Sequence, residues 1–229
     1  MNNYFVRRIL QIIPVLLIIS FIVFSLVFIA GDPVALMLPD DATPEDVELL
    51  RESLGLNDPF IVQYTTYLWN LVQGDFGESY RYGQDAMTIV LERLPATLEL
   101  GIVALIIAVV VSIPLGIWSA TKQNSSLDLV ATGAAVIGKA MPNFWLGIML
   151  ILLFSVTLNF FPVSGRGTLM HLVLPSVTLA TGIAAEMTRL IRSSMLETLN
   201  QDYVRTAKSK GLKDRIVVYK HAFRNSLIP

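Results

Sequence analysis

Residues 9–30 read ILQIIPVLLIISFIVFSLVFIA, an apolar run interrupted only by Gln11, Pro14, Ser20 and Ser25. Coiled as a helix, this run is roughly 33 Å long at 1.5 Å per residue, enough to cross the hydrocarbon core of a bilayer. A cleaved secretory signal would also place basic residues ahead of an apolar run, as Arg7 and Arg8 are here. The run is too long for that reading, however, and Phe28-Ile29-Ala30 lacks the small-x-small cleavage pattern. The stretch predicts an uncleaved first transmembrane helix, with Arg7 and Arg8 holding the N-terminus in the cytoplasm because basic flanks are retained inside.

Composition agrees with a lipid-embedded chain. Of 229 residues, 54% are hydrophobic and 15% charged, too little polar surface to cover a soluble globule. The net charge of −1 gives no global basic field for nucleic acid, so the cations have to be read by position. There is no cysteine, hence no disulfide, thiolate metal site or cysteine nucleophile. His171 and His221 lack the spacing of a zinc site, and no GxxxxGK[ST] loop is present to cradle phosphates. No catalytic, cofactor-binding or metal-ligating set is therefore expected.

Residues 31–95 change character, with twelve acids, among them Asp32, Asp40, Asp41, Glu45, Asp46 and Glu48, against three bases, Arg51, Arg81 and Arg93. That balance predicts an extracytoplasmic segment with its acids on a solvated face. Thr43-Pro44-Glu45-Asp46 has the form of a capped helix start, and Val47, Leu50 and Leu54 follow at helical spacing until Gly55. A second helix is expected after Asp58-Pro59, with an apolar stripe of Phe60, Tyr64, Tyr67, Leu68 and Leu71 that ends at Gly74-Asp75-Phe76-Gly77.

Three more spans are predicted: Thr97–Ser119; about Leu129 to Leu158, kinked or tilted through Gly133, Gly138 and Pro142; and about Leu172 to Ile191. The turn Thr121–Asp128 and the outer loop Phe161–Gly167 connect them. Four crossings return the chain to the cytoplasm, where a positive-inside bias requires cations. Residues 201–229 supply them as Arg205, Lys208, Lys210, Lys213, Arg215, Lys220 and Arg224, against only Asp202 and Asp214.

This basic segment is patterned. Leu196, Leu199, Tyr203 and Ala207 recur at helical spacing with Arg205 and Lys208 directed elsewhere, and after Gly211 a second pattern of Ile216, Tyr219, Phe223 and Leu227 begins. Two short amphipathic helices joined at a glycine elbow are expected, since glycine reaches left-handed backbone angles without a Cβ clash.

The residues Asp202-Tyr203-Val204-Arg205-Thr206-Ala207-Lys208-Ser209-Lys210-Gly211, with His221-Ala222-Phe223-Arg224-Asn225-Ser226-Leu227-Ile228-Pro229, resemble the cytoplasmic EAA loop of ABC importer permeases. The general pattern E-A-A-x3-G-x9-I-x-L-P is met only at Ala207 and Gly211. The variant of the dipeptide/oligopeptide/nickel branch, D-Y-V-R-T-A-x-x-K-G-L with H-A-x-R-N-x-L-I-P, is met over most of the loop. Pro95–Leu100, Met141–Gly147, Phe161–Gly165 and Arg192–Leu196 also look like that branch, so the likeness spans almost the whole chain.

The resemblance implies an all-α polytopic membrane protein. Residues 1–30 would be the cytoplasmic N-terminus and first span, 31–95 an extracytoplasmic helical segment, 96–193 the second to fourth spans, and 194–229 the coupling loop. It implies a permease subunit in a bacterial inner membrane that pairs with a homologous second permease, two cytoplasmic ATPases and an extracytoplasmic binding protein, with no nucleic-acid partner. ATP and Mg would be bound by the ATPases, so the chain itself is not an enzyme and has no cofactor. Asp202, Tyr203, Arg205, Thr206, Ala207, Gly211, His221, Arg224 and Asn225 would couple to an ATPase, with small Ala207 allowing close approach. The cargo implied is a dipeptide or oligopeptide; a nickel or other metal chelate remains open, as does a membrane-anchored signalling or scaffold protein. The family pattern carries two further helices beyond the loop, so the chain ending at Pro229 is expected to be truncated.

Lys139 lies about 15 Å into the third predicted span, next to Pro142. An isolated ammonium at that depth is costly, so it is expected to face the bundle interior and meet Glu186, a substrate carboxylate or water. Lys139, Pro142 and Glu186 are thus candidates for the translocation path or an intramembrane ion pair. Glu186 and Arg189, three residues apart, can pair locally, with Arg192 one turn nearer the cytoplasm.

Overall fold

The computed structural model describes residues 2–39 and 41–227; Asp40, and Ile228 and Pro229 of the loop motif, lie outside the described residues. The chain divides into two compact units, 1–94 and 95–229. No strand forms among the described residues, which leaves an all-α architecture.

In the first unit, helix α1 covers Asn2–Ala30, and its apolar side chains are exposed over residues 6–30, as a lipid-facing span requires. A short helix α2, Val34–Met37, follows. Helix α3, Pro44–Ser53, starts as the sequence predicts. The Thr43 side chain accepts from the Asp46 N–H, Asp46 reaches back to the Thr43 N–H, and Pro44 occupies the first turn. Gly55, at φ +66°, ends that turn in a conformation glycine adopts without strain.

Helix α4, Phe60–Val72, uses its predicted stripe, but on a surface the sequence did not indicate. Phe60 packs edge-on against Phe28 and Phe21 with ring centroids 5.1 and 5.7 Å away, and Tyr64 lies 5.2 Å from Phe21. The Tyr64 hydroxyl also bonds Ser20 at 3.0 Å and donates to the Leu17 carbonyl at 3.2 Å. This part of 31–95 therefore runs beside residues 17–28 of α1, level with the apolar run and not beyond its end. The rings of Phe21, Phe28, Phe60 and Tyr64 gain edge-to-face partners there, and the phenol finds an acceptor.

Helix α5, Ala86–Thr121, is longer at both ends than the predicted span. Within the second unit it carries a ladder of small buried residues four apart: Ala104, Ala108, Ser112, Gly116 and Ala120. The ladder meets helix α8, Leu169–Leu199, where Ala104 and Ala108 cluster with Ala180. A Cβ on Gly116 would stand 2.7 Å from Ile191 Cβ, so only glycine permits this approach.

The third predicted span is corrected. It is not one kinked helix but two, α6 Ser126–Ala140 and α7 Asn143–Leu150, the latter continuing through a π-helical stretch Ile151–Thr157, with a 104° bend between the two arms. Pro142 lacks an N–H to continue the ladder and drives Met141 into extended backbone at φ −73°, ψ 128°. Among the described residues, three single helices are long and apolar enough to cross a membrane; the bent pair supplies a fourth if it is one broken span.

Candidate coupling site

After α8 the chain breaks at Asn200 and Gln201, the latter extended, and helix α9 runs Asp202–Ser209. The predicted continuous face from Leu196 to Ala207 is therefore interrupted, and the register shifts by one. Val204 and Ala207 turn inward, packed with Val217 and Leu199, while Tyr203 is exposed. Asp202, Arg205, Thr206 and Lys208 are exposed, with Arg205 3.7 Å from Asp202 and the Thr206 hydroxyl donating to the Asp202 carbonyl at 2.9 Å. Ala207 thus allows α9 to close on its own return segment, which differs from its expected role facing a partner.

Gly211 forms the elbow as predicted, with φ +74°, and a Cβ there would meet nothing within 4 Å. Its requirement is one of backbone angle, not space. The return segment is α10, Asp214–Ile216, then a π-helical Val217–Phe223, then α11, Arg224–Ser226. The predicted stripe of Ile216, Tyr219, Phe223 and Leu227 does not form the buried face: Ile216, Tyr219 and Leu227 are exposed, whereas Val217, Ala222 and Ser226 are buried. A π-turn bonds i to i+5, and across this stretch the inward Val217 and Ala222 stand five apart where an α-helical reading looks at three and four. Ala222 fits against Ile117 and Ala120 of α5 and Ile191 and Met195 of α8, seating the return segment on the span ends. His221 is half-buried, and Arg224 and Asn225 are exposed; the Asn225 amide donates to the His221 carbonyl at 2.7 Å.

Beside this seat lies a cluster that sequence reasoning missed, having read Asp128 only as a turn residue. The Arg192 guanidinium grips the Asp128 carboxylate with two hydrogen bonds of 2.7 and 2.8 Å and also reaches Ser119 Oγ at 3.1 Å. Ser119 donates to the same carboxylate, as do the Asn124 N–H at 3.0 Å and Thr132 at 3.3 Å. Asp128 is 4% exposed, and its partners come from α5, the 121–125 turn, α6 and α8. A buried charge is tolerated when its lone pairs are filled in this way. The available signal was Ser125, whose side chain caps α6 by accepting from the Asp128 N–H, together with Ser119 and Arg192 at the ends of apolar spans.

Of the three partners open to Lys139, the structure shows Glu186, Nζ to Oε2 2.6 Å, but the side chains are 54% and 69% exposed within this chain and not enclosed in a bundle interior. The local pair of Glu186 with Arg189 does not form; Arg189 has no ion-pair partner within 4 Å among the described residues. Pro142 lies at the helix break rather than in the ion pair.

Residues 112–229 match the family described as binding-protein-dependent transport system inner membrane component, and residues 1–101 match its N-terminal counterpart. The chain is 44% identical to the oligopeptide transport system permease protein AppB of Bacillus subtilis (strain 168), over all of this chain and 76% of that one. It is 37% identical to the dipeptide transport system permease protein DppB of Alkalihalophilus pseudofirmus, over all of this chain and 78% of the relative. It is 39% identical to the glutathione transport system permease protein GsiC of Escherichia coli (strain K12), over all of this chain and 75% of that protein. With its apolar helices and a likeness that runs over the whole of this chain, this multi-pass membrane chain belongs to the inner membrane components of binding-protein-dependent transport systems.

Proposed function

We propose that the chain is the permease subunit of an ATP-driven importer whose cargo is a dipeptide or oligopeptide delivered by an extracytoplasmic binding protein. The observation that carries this reading is likeness, over all of this chain and about three quarters of each relative, to permeases of peptide systems. A second homologous permease would complete the path, and two cytoplasmic ATPases would hydrolyse ATP. The N-terminus and residues 194–227 lie in the cytoplasm in this reading, supported by Arg7 and Arg8 at one end and the cations of α9 and its return segment at the other. The exposed face of α9, with Asp202, Tyr203, Arg205 and Thr206, docks on an ATPase; Gly211 sets the elbow, and His221, Arg224 and Asn225 belong to the returning arm. Ala207 acts from inside by letting α9 pack on Val217. ATPase closure pushes α9, and the stroke passes through Ala222 to the ends of α5 and α8. Lys139 and Glu186 line the path, with Pro142 shaping the bend beside them.

The test is ATP-dependent uptake of a labelled dipeptide into proteoliposomes, with and without the partner subunits. Uptake of a nickel chelate but no peptide would move the cargo, and partner binding without any uptake would favour a scaffold. Gly211→Val places a β-branched residue at positive φ, about 1–3 kcal/mol of local strain. The expected result is normal membrane insertion with peptide carried per ATP sharply reduced; unchanged coupling would remove the elbow from the mechanism.

A further inference from the structure

Between α6 and α8 runs a groove of about 570 Å³ that carries charged and hydroxyl side chains among apolar surface, with Thr132 and Lys139 on one side and Glu186, Arg189, Arg192, Ser193 and the exposed Leu190 on the other. Arg192 is already committed to Asp128. Lys139 and Glu186 pair with one another but leave more than half of each side chain exposed, and Arg189 is exposed without an ion-pair partner among the described residues. Beyond the solvent-open Lys139–Glu186 pair, the groove therefore holds one cation in excess, Arg189.

A face of this kind cannot meet hydrocarbon. Charged groups within a span turn to water or protein, and a concave wall that also carries hydroxyl groups suits water better than a close-packed contact. The groove presents opposite charges one helical turn apart, Glu186 and Arg189 being i and i+3 on α8, with Cβ atoms about 5–6 Å apart. An extended dipeptide separates its terminal ammonium and carboxylate by ~7 Å, and Glu186 and Arg189 are both long, exposed side chains whose charged ends can adjust to such a span. The surplus positive charge is one that an entering carboxylate neutralises.

We propose that this groove is a transit site for the free termini of a short zwitterionic peptide, Glu186 receiving the ammonium and Arg189 the carboxylate, with Lys139 moving from Glu186 to share the carboxylate. This rests on the peptide-importer reading above. Exchange of one solvated ion pair for another keeps the site weak, and a path must release what it binds. Each contact is accordingly worth a few-fold in selectivity and no more.

The experiment uses the complete importer with its binding protein in proteoliposomes and three probes that the binding protein is first shown to load: alanyl-alanine, its N-acetyl form and its C-terminal amide. The expected pattern is crossed. Glu186→Gln lowers the preference for the free over the N-acetyl peptide by about two- to five-fold and leaves the preference over the amide unchanged. Arg189→Gln does the converse, and Glu186→Asp restores discrimination against the N-acetyl form. A fold defect lowers all three rates together and cannot produce crossed ratios. Variants that still carry all three probes with the unmodified importer's preferences unchanged would overturn the proposal. If the unmodified importer hydrolyses ATP but carries none of the three, the peptide reading itself fails, and the proposal with it.

Discussion

Asp128 is held by Arg192, Ser119, Thr132 and the Asn124 N–H in a site almost closed to solvent. Removing one member strands the others. Arg192→Met is expected to destabilise the chain by about 3–5 kcal/mol, because a buried carboxylate is left without its counter-ion. The double variant Asp128→Leu/Arg192→Met should regain much of that loss, which thermal unfolding in detergent measures; a double variant no more stable than Arg192→Met alone would show that the pair is not the cause. At this scale the sequence spoke unevenly. The partner of Lys139 was legible because an ammonium within a span must find an anion, and few anions are near. Asp128 was not legible, since an acid close to a loop is ordinarily solvated and nothing local reveals a guanidinium sixty-four residues away. Tyr203 and Val204 exchanged places for a similar reason: two non-helical residues between α8 and α9 reset the register.

The helices followed local rules wherever their ends were written in local chemistry. The Thr43 hydroxyl and N–H both donate to Asp46, and those bonds hold its carboxyl below the ordinary value of 3.8. Arg51, and then the Val34 N–H, do the same for Asp32. Folded-state values depressed in this way contribute stability that is full above 3.8 and is lost as pH falls through the lower folded values. Protection of the α3 amides, taken relative to their intrinsic exchange rates, should therefore be full at pH 6 and fall below about pH 4, and Asp46→Asn should remove part of that acid response; protection unchanged down to pH 3 would refute it. Other elements answered to more than local rules. The position of Pro142 was plain, but a proline can merely kink a helix, and the 104° turn was not written in its own neighbourhood. The π-helical return segment hid its inward face for want of an α-helical period.

Across the whole chain, the side on which the coupling loop emerges depends on the parity of crossings. If the bent α6–α7 pair crosses once, the two ends share a side; if it re-enters, they do not. The chain has no cysteine, so single Asn3→Cys and Ser209→Cys variants report cleanly. Both are expected to react with an impermeant maleimide in inside-out vesicles only, and labelling from opposite faces would make the pair re-entrant. Apolar length, charge asymmetry and cap chemistry determined on their own that the protein is all-helical, lies in a membrane and carries a basic glycine-jointed loop, because each is a balance struck by neighbouring residues with solvent or lipid. Contacts between distant segments decided the rest: α4 laid along α1, small residues letting α5 close on α8, Arg192 locked on Asp128, and a charged groove between α6 and α8. These depend on which surfaces meet, and a linear pattern records what each surface offers without recording what it finds.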